Sequence, residues 1–147
     1  MDQPSNKTKI LFLCTGNSCR SQIAEAWTRK LNGDRIEPFS AGTDPKEIDP
    51  RAVKVMAEAG VDISGQKSKT VEALGDQEFD YVITLCDSAF QSCPFFPGKT
   101  RKLHVGFDDP PRLAAGAESE AEALAPYRRV RDEIKAYVES LPETLNP

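Results

Sequence analysis

Residues 10–21 read Ile10-Leu11-Phe12-Leu13-Cys14-Thr15-Gly16-Asn17-Ser18-Cys19-Arg20-Ser21. The first four form a continuous apolar run, the pattern of a strand buried on both faces. From Arg20 to Leu31 the apolar positions Ile23, Ala24, Trp27 and Leu31 recur at helical spacing, and Gly33 stands where such a helix stops. Strand, loop and helix are the first half of a βαβ unit. The alternation then repeats. Residues 36–41 predict a second strand, and Asp49-Pro50 an N-cap and first helical residue ahead of Ala52, Val53, Met56 and Ala59. Residues 81–85 predict a third strand and residues 103–107 a fourth. Pro126 is expected to open a last helix, whose stripe of Tyr127, Val130, Ile134, Val138 and Leu141 docks on the sheet. Residues 113–125 read equally as a short helix or a mobile surface loop. Cys93-Pro94-Phe95-Phe96-Pro97-Gly98 demands a turn-rich loop, with its phenylalanines expected in the core. Strands alternating with helices predict an α/β fold, a parallel sheet with helices on both faces.

A chain of 147 residues reads as a single domain, residues 1–147, large enough to bury a real core. At 39% apolar and 29% charged it is globular in composition. Nineteen Lys and Arg against 23 Asp and Glu give a net charge of −4, which withholds any broad grip on nucleic acid or an anionic membrane. The charge is uneven: residues 1–35 hold six cations and three carboxylates, so this end better receives an anion. The longest apolar run, Ile10 to Cys14, is too short for a membrane span or a signal core, and a cytoplasmic monomer is expected. In such a reducing compartment the 4 cysteines read as working thiols or metal ligands rather than a disulfide framework.

The loop after the first strand puts the thiol of Cys14 at the mouth of a helix. Gly16 and Asn17 are the residue types that tolerate positive φ, so the loop can curl and aim the N–H groups of Thr15, Gly16, Asn17, Ser18, Cys19, Arg20 and Ser21 at a tetrahedral oxyanion. Arg20, six residues after Cys14, can add a bidentate fork. A free cysteine titrates near about 8.5, and a helix N-terminus with a cation beside it lowers that, so Cys14 is expected to be anionic at neutral pH. Ser21 is expected to donate to its sulfur. Cys19 shares the loop, but its side chain should turn back into the core. Cys14 alone would read as an ordinary buried strand-end cysteine; the joint pattern Cys-x5-Arg between strand and helix is far more specific.

Residues Cys14 to Ser21 resemble the active-site loop shared by low-molecular-weight protein tyrosine phosphatases and the arsenate reductases built on the same fold. Gln22-Ile23-Ala24-Glu25-Ala26-Trp27 is closer to the reductases, because the phosphatases carry proline directly after the Arg-Ser pair. The likeness continues through Ser40-Ala41-Gly42-Thr43, Val61-Asp62-Ile63-Ser64 and Phe107-Asp108-Asp109-Pro110. It implies a three-layer fold with a four-stranded parallel sheet and the site at the carboxyl ends of its strands.

The remaining thiols choose between hydrolysis and reduction. A phosphatase needs no second cysteine, whereas reducing arsenate takes two electrons, which two thiols release on becoming a disulfide. Cys86 ends the third strand, at the same end of the sheet as Cys14, and Cys93 follows seven residues later. Four and six intervening residues within the pairs Cys14/Cys19 and Cys86/Cys93 suit zinc poorly, and inert buried thiols remain the other alternative. The Cys-x6-Cys spacing resembles that of thioredoxin-coupled arsenate reductases. The expected sequence is attack of Cys14 on arsenate, protonation of the leaving oxygen by Asp109 (Asp108 in reserve), then a Cys14–Cys86 and a Cys86–Cys93 disulfide, the last reduced by thioredoxin. If Cys86 starts at a distance, residues 87–92 must rearrange.

The resemblance raises a potassium site at Asn17, Glu25 and Ser40. Lys69 stands where a carboxylate is expected, so its ammonium is predicted to replace the ion and potassium to matter little; no tightly bound cofactor is expected. Pro111 and Arg112 follow Asp109-Pro110 in place of the aromatic wall of the phosphatases. His104 is expected to be packed or solvated. Hydrolysis of phosphate monoesters, and oxyanion binding without chemistry, are the rival functions.

Overall fold

The computed structural model describes residues 7–91, 100–141 and 143–145. Four parallel strands, β1 (Thr8–Cys14), β2 (Ile36–Gly42), β3 (Tyr81–Thr84) and β4 (Arg101–His104), lie in the order β2-β1-β3-β4. β1 is central, and the run from Ile10 to Leu13 is fully buried. Its residues alternate as a strand must: Ile10 and Phe12 join one core with Ile23, Trp27, Met56 and Ile134, while Leu11 and Leu13 join another with Phe79, Val82 and Ala89. The expected fold class is the observed one. Pro38 is accommodated because β2 is an edge strand.

The helices are α1 (Arg20–Asn32), α2 (Pro50–Glu58), α3 (Asp87–Gln91), α4 (Pro110–Ala114) and α5 (Glu120–Glu139). Asp49 caps α2 by accepting from the Arg51 amide, with Pro50 at the start, as its sequence predicts. Pro126 does not open the last helix. Ser119 caps α5 by accepting from the Glu122 amide, and Pro126 lies inside the helix. The stripe of Tyr127, Val130, Ile134 and Val138 is buried as expected, and residues 113–125 divide between the end of α4, a turn and the first turns of α5. β4 ends at His104, short of the expected residue 107, although the Val105 and Phe107 amides still reach the carbonyls of Thr84 and Leu85.

Strand order places the switch point of the sheet between β1 and β3, since β1 connects outward to β2 on one side and β3 leads to β4 on the other. Cys14 and Cys86 stand at the carboxyl ends of these two strands, and residues 105–109 follow β4 at the same end.

Candidate active site

The loop between β1 and α1 is held by its carbonyls. The amides of Thr43, Asp44, Lys46 and Asp49 donate to the carbonyls of Cys14, Thr15, Gly16 and Ser18 at 2.8–3.1 Å, and the Ile23 amide takes that of Cys19. The Asn17 carbonyl accepts from Gln22 Nε2 and Ser68 Oγ. In a trans peptide the N–H points opposite the C=O, so carbonyls drawn outward leave the amides of residues 15–20 facing inward. Asn17 adopts φ +49, the left-handed turn expected of it. Its side chain donates to Ser21 Oγ at 2.8 Å and accepts from the Lys69 amide at 2.9 Å. Ser21 is thus turned to Asn17, and among the described residues it makes no bond to Cys14. Its part is to hold the loop.

Gly42 makes the close approach possible. A Cβ there would lie 2.5 Å from the Thr15 carbonyl oxygen and 3.0 Å from Asn17, contacts no side chain tolerates. Sequence reasoning missed this residue and the whole strap of residues 43–49. The signs of them were the Ser40-Ala41-Gly42-Thr43 likeness and the Asp49 cap, neither of which pointed to the loop.

Cys14, Arg20, Cys86 and Asp109 come together. The Cys14 and Cys86 sulfurs lie 3.5 Å apart, and Thr15 Oγ1 is 3.3 Å from Cys86 Sγ. Arg20 donates to the Phe107 carbonyl at 2.8 Å, and its other nitrogen lies 3.5 Å from Asp109 Oδ1. A cavity of about 600 Å³ opens here, lined by Thr15, Arg20, Cys86, Asp87, Asp109 and Arg112 among others. Asp108 also borders it, but its carboxylate is taken by Arg129 of α5 at 3.0 Å. Arg112, which the sequence marks only as standing in place of an aromatic wall, lines the cavity as well. Cys19 is buried behind the loop, its thiol pushed up by burial first and then by the charge of Asp49. Cys93, with its loop, lies outside the described residues.

The charge sits differently from the expectation. Cys86 is held down at about 5, chiefly by the hydrogen bond from Cys14 and against its burial, with help from Thr15, the Ala89 amide and Arg20. Cys14 is pushed up, first by that same bond and then by burial, while Arg20 and the Thr15 amide pull the other way. Two sulfurs at this distance share one proton and one charge. This sharing favours the thiolate on Cys86, which accepts the bond from Cys14 and is also drawn down by Thr15, the Ala89 amide and Arg20. The expectation of an anionic Cys14 considered the loop without this neighbour.

The cation region is also corrected. Glu25 accepts from Arg29 and from Ser40, while Lys69 Nζ donates to the Lys67 carbonyl at 2.8 Å. Arg29, one helical turn on from Glu25, is therefore its cation, and Lys69 is not. Burial lowers the Lys69 ammonium, with Glu25 opposing.

A thiol pair at the switch point of a parallel sheet, beside an amide-lined loop and an arginine, suits enzymes that handle tetrahedral oxyanions through sulfur. The sequence profile of the low molecular weight phosphotyrosine protein phosphatases matches residues 9–147. The chain belongs to that family. An arsenate reductase of Halalkalibacterium halodurans is 47% identical over 139 residues, covering 95% of this chain and 98% of that one. A solved arsenate reductase in its oxidized state superposes with a TM-score of 0.76 at 30% identity, over 95% of this chain and 99% of that one. A thioredoxin-dependent arsenate reductase of Corynebacterium glutamicum gives a TM-score of 0.66 at 28% identity, over 97% of this chain and 64% of that one. No helix among the described residues is long and apolar enough to cross a membrane.

Proposed function

We propose that the chain is an arsenate reductase, a single catalytic unit over residues 1–147 that acts in the cytoplasm and draws electrons from thioredoxin. The observation that carries this reading is the 3.5 Å approach of Cys86 to Cys14, which hydrolysis does not need. The relatives named as arsenate reductases, one of them thioredoxin-dependent, support it.

Arsenate is held by the inward amides of residues 15–20 and by Arg20. The one proton of the sulfur pair passes to Cys86, and the Cys14 thiolate attacks arsenic. Asp109, beside Arg20 at the cavity, protonates the departing oxygen, which leaves as water. Once Cys14 is bonded to arsenic, loss of the proton leaves Cys86 as thiolate, the form its surroundings favour. Cys86 attacks the Cys14 sulfur, and the electron pair of the S–As bond stays on arsenic, which departs as arsenite. Two sulfurs have been oxidised to a disulfide and As(V) reduced to As(III). Cys93 then attacks Cys86, freeing Cys14 and moving the disulfide outward for a dithiol reductant. The first exchange starts from sulfurs already near contact, so it needs no rearrangement of residues 87–91.

Counting free thiols before and after stoichiometric arsenate tests the reading. Two thiols lost per arsenite formed are expected. Turnover of a phosphate ester with no thiol consumed, undiminished by Cys86→Ser, would make the chain a phosphatase instead.

A further inference from the structure

The one histidine of the chain straddles Cys86. β3 and β4 pair with Thr84 opposite His104, and the imidazole reaches both flanks of the cysteine. Nδ1 lies 2.8 Å from Thr84 Oγ1, two residues before Cys86, and Nε2 lies 3.1 Å from Asp87 Oδ1, the residue after it. A carboxylate only accepts, so Nε2 carries a proton and donates to Asp87. The two ends differ in kind. Thr84 is fully buried in the sheet, whereas the Asp87 side chain is 90% exposed.

We infer that His104 is a positioning residue for the thiol exchange: anchored on Thr84, it grips Asp87 and so keeps the turn at residue 86 aimed at Cys14. The inference deepens the proposed function and rests on Cys86 being the attacking thiol. Sulfur-to-sulfur attack tolerates little misplacement, so a weak grip has a visible effect on rate. A solvent-exposed hydrogen bond is weak, which is the property required of a grip that must let go when Cys86 turns to its next partner.

The test uses the whole reduced protein carrying Cys93→Ser, which stops the exchange at the first disulfide. Arsenate is added, the reaction is acid-quenched at intervals, and Cys14–Cys86 linkage is mapped by mass. Asp87→Ala and His104→Ala are each expected to slow linkage about three- to tenfold, with half-saturating arsenate unchanged and the double variant no slower than the slower single one. Unchanged linkage rates in both, or a loss confined to arsenate half-saturation, would overturn the inference. Amide hydrogen exchange in residues 85–91 gives a second readout independent of the chemistry. Faster exchange there in both variants, with the rest of the chain unaltered, is expected, and unaltered exchange would refute the grip. Absence of any linkage in the parent protein would instead defeat the proposed function, leaving the exchange measurement to judge His104.

Discussion

The Cys14 and Cys86 sulfurs lie 3.5 Å apart at the carboxyl ends of adjacent parallel strands, an approach that favours the thiolate on Cys86 and the proton on Cys14. The bond from Cys14 lowers the Cys86 thiol to about 5. A thiol lowered in the fold contributes stability that is present above its unfolded value near about 8.5 and lost as pH falls through about 5. Absorbance of the reduced protein at thiolate wavelengths is therefore expected to show one anion by pH 7, lost near pH 5. Cys86→Ser removes the sulfur that accepts this bond from Cys14, so the remaining loop thiol should titrate lower than it does beside Cys86. A titration of Cys14 unmoved by that substitution would mean that burial, rather than its neighbour, holds it up.

Gly42 lies against Thr15 with no room for a side chain. Gly42→Ala is expected to lose about 1–3 kcal/mol of stability by overpacking, and about tenfold in affinity for phosphate or arsenate as the inward amides splay. Denaturant unfolding and calorimetric titration measure the two effects. Unchanged oxyanion affinity would show that the strap does not shape the loop.

Asp108 and Asp109 adjoin in sequence but face different partners, Arg129 of α5 and Arg20 of the site. Asp109→Asn should lower kcat for arsenate by about 10²–10⁴, the usual contribution of a general acid, whereas Asp108→Asn should stay within about threefold. Equal losses would return the acid role to Asp108.

Glu25 is neutralised by Arg29 and bonded by Ser40, so arsenate reduction in potassium and in sodium chloride should agree within about a factor of two at equal ionic strength. Arg29→Gln leaves a largely buried carboxylate without its cation and should cost about 1–2 kcal/mol, read in urea unfolding. A several-fold activation by potassium in the parent protein would contradict this arrangement.

The strand, loop and first helix were legible because an apolar run, a Gly-Asn turn and helical spacing are local signals. The start of α5 was legible too, in Ser119 followed three residues later by Glu122, but Pro126 drew the boundary to itself. A proline in the early turns of a long, well-packed helix is tolerated when tertiary burial outweighs the lost bond. Glu25 and Arg29 stand four apart on one helix, a pairing that spacing alone could have found ahead of Lys69. What local signals do not carry is tertiary distance. Parallel direction puts Cys86 at the correct end of the sheet, but its contact with Cys14, and hence which sulfur is charged, depends on strand register and on the turn at residue 86. The amides of residues 43–49 likewise reach the loop only through the folded approach at Gly42.

The most direct measurement is disulfide mapping after a single turnover with equimolar arsenate and no added reductant. Cys86 linked to Cys93, with Cys14 free, is predicted for the parent protein, and Cys14 linked to Cys86 for Cys93→Ser. Arsenite produced with Cys14 alone oxidised, joined to a small thiol while Cys86 and Cys93 stay reduced, would contradict the internal relay.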